Sequence, residues 1–536
     1  MISVVHYIYK MLGYFSRNTK ISKTFFLIQI IIFLLLFFLY VVKPQTLCFL
    51  PWHHHGNVSA EQISMIDGAN FNNGFISPKF KIEGKGDYYP RYSVITNIIL
   101  HPILSSCKTL SSKIGAIQYV MDLVLFINIL LMTYILNKLL KNKIAAFLGS
   151  ILASTSYVVA TYCDLPSPDT FLIFSFLLSF VSIIKFEEKN FIFSLILIIS
   201  ALSFGYLLLN TIPFIFYSLF VVSKKCKLKN KFYLLSFILF LPCVISLLLY
   251  SYNVYRETIN ENIAYNQTSI YESTTRRSGN YPDSYYNTYL KGKIEFYNYY
   301  PFYIKNAYRT AIEPFSTIKK EIKKLWRIFL IICAISLVAS NVNKEIILEN
   351  NNKILRINLS KTWLSIKKIF PSNKLHLLIT LLLSSCYTLF ILKGFVLIHD
   401  FGFISLYIMA ATIFTFIFTF INKKLLNYII FPFILVFFAT SYNNIYMQLK
   451  ESRKIGNIYI QDFERIQKNI KNKEDSFMLE DNFNIFPNAI FAIGLYLDHH
   501  NIELTKEKST YYLSKEKRPN TLTPYNKKIF MYKTNE

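Results

Sequence analysis

Charge is what this chain has little of. Of 536 residues only 31 are Asp or Glu, and all charged residues make up 17%, against roughly 25% in an ordinary soluble domain. That shortfall excludes a soluble globular enzyme, and 53% hydrophobic residues exclude a disordered chain. Glycine and proline are also scarce, at 15 and 17. With abundant Ile, Lys, Asn, Phe and Tyr this points to an AT-rich genome, so codon bias contributes to the formal charge of +27. No internal repeat is visible, which weakens inverted-repeat transporter architectures. None of the seven cysteines stands in a Cys-x-x-Cys pair, and no His-Glu-x-x-His motif occurs.

What is present is long uncharged runs of Ile, Leu and Phe, the mark of a multi-span membrane protein. A hydrocarbon core about 30 Å thick needs about 20 apolar residues in helix. Eleven runs lie near 25–43, 115–137, 144–163, 169–185, 191–208, 211–223, 233–252, 327–340, 375–393, 403–421 and 426–443. The run at 211–223 is short and carries Pro213, so it and its neighbour read as one broken unit or two spans. The segment 93–106 is apolar but short and fits an interfacial or re-entrant piece. The first run is too long for a signal-peptide core and lacks a small-residue cleavage site. It is expected to be a retained helix.

Lys10, Arg17, Lys20 and Lys23 precede the first run, which predicts a cytoplasmic N-terminus. Alternation then places Lys138–Lys143, Lys185–Lys189, Lys224–Lys231, the 341–374 loop and Lys423–Lys424 inside. The links 164–168, 209–210 and 394–402, which hold no Lys or Arg, fall outside. The loops 44–114 and 253–326 and the tail are also expected outside, since long loops cross regardless of charge. Near this side a Cys48–Cys107 disulfide is one reading in an oxidising compartment. The fold expected is an all-α polytopic membrane protein of about eleven transmembrane helices. Residues 1–443 form the membrane domain, with outer-face loop helices. Residues 444–536 form a small extramembrane α/β domain, with strands read at Phe477–Glu480, Ile502–Leu504, Thr510–Leu513 and Ile529–Tyr532 and a helix at Pro487–Leu497.

The spans are almost free of ionisable residues; Asp122, toward the outer end of the second run, is the exception. An intramembrane acid is a functional candidate, or it reaches the headgroups. No chain of acids that would relay protons exists. Polar chemistry gathers on the outer face instead. In the first outer loop Ser59 is a plausible N-cap, a helix is predicted over Ala60–Asn73, and Gly74 supplies its end. Ile63, Ile66 and Phe71 make that helix weakly amphipathic, suited to the membrane surface. Glu61 lies in its first turn. Further on comes Asp87-Tyr-Tyr-Pro-Arg91-Tyr, a compact aromatic and basic element.

This order of elements resembles the C-type polytopic glycosyltransferases, the class of the protein O-mannosyltransferases and the bacterial lipid A aminoarabinose transferases. Aligning on Ala69 and Gly74 puts Glu61 at that family's first acid, Gln62 at its second acid and Met65 at its Tyr. Tyr89-Pro90 matches a Tyr/Pro-Pro element, with Arg91 where a second Pro is common. Leu165-Pro-Ser-Pro-Asp169 resembles a Pro-Asp element at the outer start of the fourth span, and His399-Asp400-Phe401 a His-Asp-Tyr-like element at a late one. The acid pair departs from the family pattern, becoming Glu-Gln.

The resemblance implies inverting transfer of a sugar from a polyprenyl-phosphate donor to a hydroxyl. That chemistry asks for a base near the acceptor and for cations or hydrogen-bond donors around the departing phosphate. Glu61 is the base candidate and Asp67 its alternative, six residues on and off the same helix face. Asp169 positions the base or acceptor, or caps its helix. Tyr89 and Arg91 lie on the substrate side, Arg91 as phosphate holder or interface anchor. His399 and Asp400 contact the donor phosphate or the acceptor, or cap. Arg276 and Arg277, with Arg256 in the second outer loop, suit phosphate as a fork or are solvated. Tyr281–Tyr308 reads as a headgroup belt or a sugar-stacking surface. Adjacent His53, His54 and His55 rarely aim at one ion, so no metal and no cofactor are expected beyond the lipid-phosphate-linked sugar as co-substrate. The partners implied are that donor, a glycan, lipid or protein acceptor, and membrane lipids. Nucleic acid is not implied, because the basic residues fall on separate loops. A bacterial inner membrane is the expected location, with the site and the C-terminus on its outer face. A lipid-linked sugar flippase and a polysaccharide ligase or polymerase are the competing readings.

Overall fold

The computed structural model describes residues 19–42, 54–78, 80–88, 92–163, 168–223, 228–260, 320–341, 374–387 and 404–470, with strands at 345–349 and 352–356. In the tail it describes 472, 474–479, 497–503, 509–514 and 530–533, and residues 305 and 308 stand alone.

The chain begins with α1 (Thr19–Tyr40), α2 (His54–Asp67), a hairpin of β1 (Phe80–Ile82) and β2 (Lys85–Asp87), and α3 (Val94–Ser105). Then come α4 (Leu110–Leu140), α5 (Lys143–Ser154), α6 (Tyr157–Tyr162), α7 (Pro168–Glu187) and α8 (Phe191–Leu202). They are followed by α9 (Ile212–Ser223), α10 (Leu228–Leu235), α11 (Leu241–Asn260) and α12 (Lys320–Asn341). A hairpin of β3 (Glu345–Glu349) and β4 (Asn352–Arg356) occupies part of the 341–374 loop, before α13 (Leu375–Ser385), α14 (Leu406–Thr419) and α15 (Phe431–Asn469). The tail strands are β5 (Ser476–Leu479), β6 (Asn501–Glu503), β7 (Tyr511–Ser514) and β8 (Phe530–Lys533).

Each of the eleven apolar runs contains helix, and the chain is an integral membrane protein. Among the described residues four helical stretches are long and apolar enough to cross a membrane: Leu110–Leu140, Thr170–Glu187, Lys231–Glu257 and Lys423–Met447. Seven shorter apolar helices accompany them. Thr170–Glu187 is central, with 83% of its apolar stretch buried, whereas Lys231–Glu257, at 17%, turns its side chains outward.

Among the described residues two runs are interrupted. The run at 144–163 divides into α5 and α6 at Thr155. The carbonyls left free there are satisfied from α15: Ser441 Oγ donates to Thr155 O at 2.8 Å and the Tyr442 hydroxyl to Ser154 O at 3.1 Å. Irregular backbone at membrane depth needs such internal partners. The run at 191–208 stops at Leu202, and a 3-10 turn at Leu209–Thr211 opens α9. The fully buried Asn210 donates across that break to Phe204 O. Pro213 sits in the first turn of α9, where no intrahelical N–H is lost, so it opens a separate helix rather than kinking one.

Small residues set the closest helix crossing. A Cβ at Gly149 of α5 would lie 2.7 Å from the Thr415 backbone N and 3.0 Å from Ala411 O on α14. Without a hydrophobic force between helices in lipid, such close backbone approach supplies the packing energy. Aromatic rings fill the wider gaps. Phe33 of α1 meets Phe438 of α15 edge-on at 5.1 Å, and Phe329 of α12 meets Phe437 at 5.3 Å. Gln29 adds a polar clasp, donating to both Asn427 O and Oδ1 at 3.0 Å.

The tail does not stand apart from this bundle. α15 runs on for 39 residues, about 58 Å at 1.5 Å per residue, well past the apolar run that ends near 443. Its last turns bury Ile460, Phe463 and Ile466 against Phe477, Leu513 and Met531 of the tail and Ile63, Ile66 and Ile82 of the first loop. The sheet has the order β2-β1-β6-β5-β7-β8. β6 pairs in parallel with both β1 and β5, at Ile82↔Ile502 and Phe477↔Ile502. The small domain therefore takes two of its six strands from the first loop, beyond the range 444–536. The four expected tail strands occur, each within about a residue of its expected place. Most of the helix read at Pro487–Leu497 lies outside the described residues. Cys107 is a free thiol whose Sγ donates to Ile103 O at 3.3 Å, so the Cys48–Cys107 pairing is not formed. Cys48 itself lies outside the described residues.

Candidate functional site

The first loop folds differently from its expected form. α2 starts at His54 rather than Ala60 and stops at Asp67 rather than Asn73. Residues 61–66 are buried all round: Ile63 and Ile66 at the second core, Met65 at the first, and Glu61, Gln62 and Ser64 with them. This half of α2 is therefore enclosed rather than lying on the membrane surface by one apolar face. The reason is tertiary: α3, the tail and the end of α15 close over the side that was assigned to the headgroups.

The chain after α2 is a built turn. The Asn70 and Asn73 side chains accept from each other's backbone N–H at 2.9 and 3.1 Å, and Asn73 Nδ2 donates to Gly68 O at 2.9 Å. Gly74 and Phe75 both take left-handed φ, 62° and 61°. Gly74 is thus a turn glycine, not the end of a helix. It is also crowded: a Cβ there would lie 2.7 Å from the Tyr252 hydroxyl and closer still to the Arg256 guanidinium. Both belong to α11, and both hold the turn. Tyr252 donates to Gly74 O at 3.1 Å and Arg256 to Asn72 O at 3.0 Å. On the other side Asn97 of α3 donates to Phe75 O at 2.9 Å, and His101 Nδ1 lies 3.0 Å from Ile66 O.

Glu61 is 8% exposed and Gln62 2%. The Gln62 amide oxygen is buried with no hydrogen-bond partner among the described residues, a state that costs about 1–3 kcal/mol. Asp67 has a different environment. Its side chain is 8% exposed, Lys113 Nζ lies 2.7 Å from its Oδ2, and His499 Nε2 lies 3.4 Å from the same oxygen. The His499 contact is at ion-pair distance without the alignment of a full hydrogen bond. Burial favours the neutral acid, but the contacts from His499 and Lys113 outweigh it and hold the Asp67 pKa below the usual 3.8. A carboxylate at a helix C-terminus and a lysine in a first turn each oppose their helix dipole. Here the two misplaced charges face each other and offset both penalties.

The first turn of α4 is also served from α15. Ser111 N and Oγ donate to Glu464 Oε1 at 2.8 and 2.6 Å, filling donors that a helix start leaves open. Lys113, His499 and Glu464 were not singled out in the sequence. Their only sequence signal is position: a lysine at the start of a long apolar run, and the polar Asp498-His499 directly after the apolar stretch ending at Leu497.

Of the other candidates, Asp169 stands in the first turn of α7, and its side chain is outside the described residues. Tyr89, Arg91, Arg276, Arg277, His399 and Asp400 also lie outside them. Asp122 is buried on α4 beside the equally buried Gln118. Arg256 belongs to α11 rather than to an extended loop. Among the described residues no group of His, Cys, Asp and Glu is arranged to hold a metal ion.

No protein-family model matches the chain, and no curated protein matches it. Among solved structures it is similar to ArnT from Cupriavidus metallidurans bound to undecaprenyl phosphate, with 10% identity and a TM-score of 0.42, covering 95% of this chain and 97% of that one. It is also similar to the same protein in the apo state, with 11% identity, a TM-score of 0.36, and coverage of 89% and 85%.

Proposed function

We propose that this chain is a C-type polytopic glycosyltransferase that moves a sugar from a polyprenyl-phosphate donor to a hydroxyl of an envelope glycan, lipid or protein, with inversion. One observation carries the reading. Glu61 and Gln62, the residues that align with the family's acid pair, are both buried in the loop helix next to the tail. The Gln62 oxygen there has no hydrogen-bond partner among the described residues. A buried carboxylate beside an unsatisfied amide suits a site that binds and deprotonates an alcohol.

In this reading Glu61 takes the proton of the acceptor hydroxyl as its oxygen forms a bond to the anomeric carbon. The bond from that carbon to the phosphate oxygen breaks on the opposite face, and the lipid phosphate leaves with the electron pair. Arg91, Arg276 and Arg277 meet its charge in place of a divalent metal, and Tyr89, His399 and Asp400 line the donor or acceptor. Asp169 orients the acceptor. Asp67, already paired with Lys113, in contact with His499 and with a lowered pKa, is the weaker base. The tail-bearing end faces the outer side of a bacterial inner membrane, with the N-terminus in the cytoplasm.

The test is mass spectrometry of envelope glycolipids and glycans from cells with the wild-type chain, a deletion and Glu61→Gln. A single sugar mass missing in both altered strains supports the transferase and its base. Loss in the deletion alone moves the base elsewhere. An unchanged glycan profile in the deletion overturns the transferase and leaves a transporter or a nonenzymatic scaffold, which vesicle translocation of a labelled lipid-linked sugar then separates.

A further inference from the structure

We propose that Lys113 of α4 and the tail dipeptide Asp498-His499 form a latch on Asp67 that fixes the end of α2 and so positions Glu61. The functional half of this proposal rests on Glu61 being the base; the latch itself does not.

Four side chains from three distant parts of the chain meet here. Lys113 Nζ lies 2.7 Å from Asp67 Oδ2 and 3.8 Å from Asp498 Oδ1, and His499 Nε2 lies 3.4 Å from Asp67 Oδ2. Acidic and basic groups therefore alternate: Asp498, Lys113, Asp67, His499. The dipeptide's backbone is strained to deliver them. Asp498 and His499 take φ of 49° and 62° in succession, a left-handed conformation that costs a residue with a Cβ about 1–2 kcal/mol and persists only where the surroundings impose it.

Both flanks impose it. Leu497 is fully buried in the second core, His500 Nδ1 lies 2.9 Å from Asp475 O, and Asn501 enters β6 between Lys81 and Ser476. The receiving side is shaped to match. A Cβ at Gly68 would lie 2.9 Å from His499 Cε1 and collide with Ser77 Oγ, so only glycine leaves His499 its path to Asp67. From Asp67 back to Glu61 is six residues of continuous helix, about 9 Å. A shift of the latched end is transmitted to Glu61 rather than absorbed.

Lys113 and His499 are positioning residues in this scheme. The test follows amide hydrogen exchange over residues 61–67 of the full-length protein in detergent, alongside the envelope glycan of cells carrying the same variants. Lys113→Met and His499→Ala are each expected to speed exchange over 61–67 while leaving 170–187 of α7 protected. Each is expected to lower the glycan product on the order of a hundredfold, the scale of a misplacement of about 1 Å. Lys113→Arg, which keeps the charge, is expected to restore both readouts. Unchanged exchange in Lys113→Met and His499→Ala overturns the latch whatever the glycan does. Faster exchange with full glycan overturns the link to Glu61. If deletion of the chain leaves every glycan unchanged, the transferase reading fails, and exchange alone then decides the latch.

Discussion

The two ends of α4 carry two clusters of ion pairs built from the same residue types for different work. At the N-terminal end Lys113 pairs with Asp67, with side chains 19% and 8% exposed. About 38 Å along the helix, Lys138 and Lys185 flank Glu188 at 2.8 and 2.7 Å, with Lys138 and Glu188 38% and 37% exposed. Beside them Glu187 accepts from the Tyr217 hydroxyl at 2.9 Å and lies 2.6 Å from His376 Nε2, and Lys374 Nζ donates to Lys138 O. The distances are alike; the burial is not. An exposed pair contributes about 0–1 kcal/mol because water competes for each charge. A buried pair leaves an uncompensated charge when broken. The Lys-rich end is thus a solvated rim. The Asp67 end ties together three segments far apart in the chain.

Breaking each cluster in turn sharpens that contrast. Lys113→Met leaves Asp67 with one distant partner and is expected to cost about 2–4 kcal/mol, read as a lowered thermal midpoint of the purified protein. Gly149→Ala tests packing without charge. The new methyl meets backbone atoms of α14 that cannot rotate away, and about 1–3 kcal/mol is expected in the same measurement. Acid titration acts on both clusters with the same sign and separates them by size. Asp67 has a lowered pKa, so its stabilising contribution is complete above about 3.8 and is lost as pH falls through the depressed value. Asp67→Asn is expected to flatten that part of the stability profile; an unchanged acid limb would show that other carboxylates dominate it. Glu188 also has a lowered pKa, held down by hydrogen bonds from Lys138 and Lys185. Its exposure makes its share the smallest, and Glu188→Gln is expected to change stability by no more than about 0.5 kcal/mol.

Much of the framework is readable from residue order. Runs of Ile, Leu and Phe located the apolar helices among the described residues, and short segments rich in Ile, Leu, Phe and Tyr located β5 to β8, because such composition is a local property. The hairpin of β1 and β2 was missed although its turn is local. Glu83 and Gly84 both have positive φ, as a two-residue type I′ turn requires. Three-residue strands are too short to show a period, and β1 finds its other partner more than four hundred residues away in β6. The bounds of α2 were misjudged for a related reason. Ser59 and Gly74 are good cap residues in isolation, but the Asn70–Asn73 turn and the grip of Tyr252 and Arg256 end the helix at Asp67.

The candidate site divides the same way. Glu61 was legible from its place in the first turn of an expected loop helix and from the resemblance that aligned it with a family acid. Lys113 and His499 were not, since a lysine beside an apolar run and a histidine in a tail are ordinary residues until the fold brings them to one carboxylate.

By itself the sequence determined that the chain is an integral membrane protein and where its apolar helices lie. Those follow from composition and period, which every residue carries locally. Tertiary structure alone decided that residues 61–66 of α2 are buried, that the tail and the first loop share one sheet, and that Lys113 and His499 come to Asp67. Those depend on which distant charges and strand edges come within about 4 Å of each other, and no local pattern encodes that.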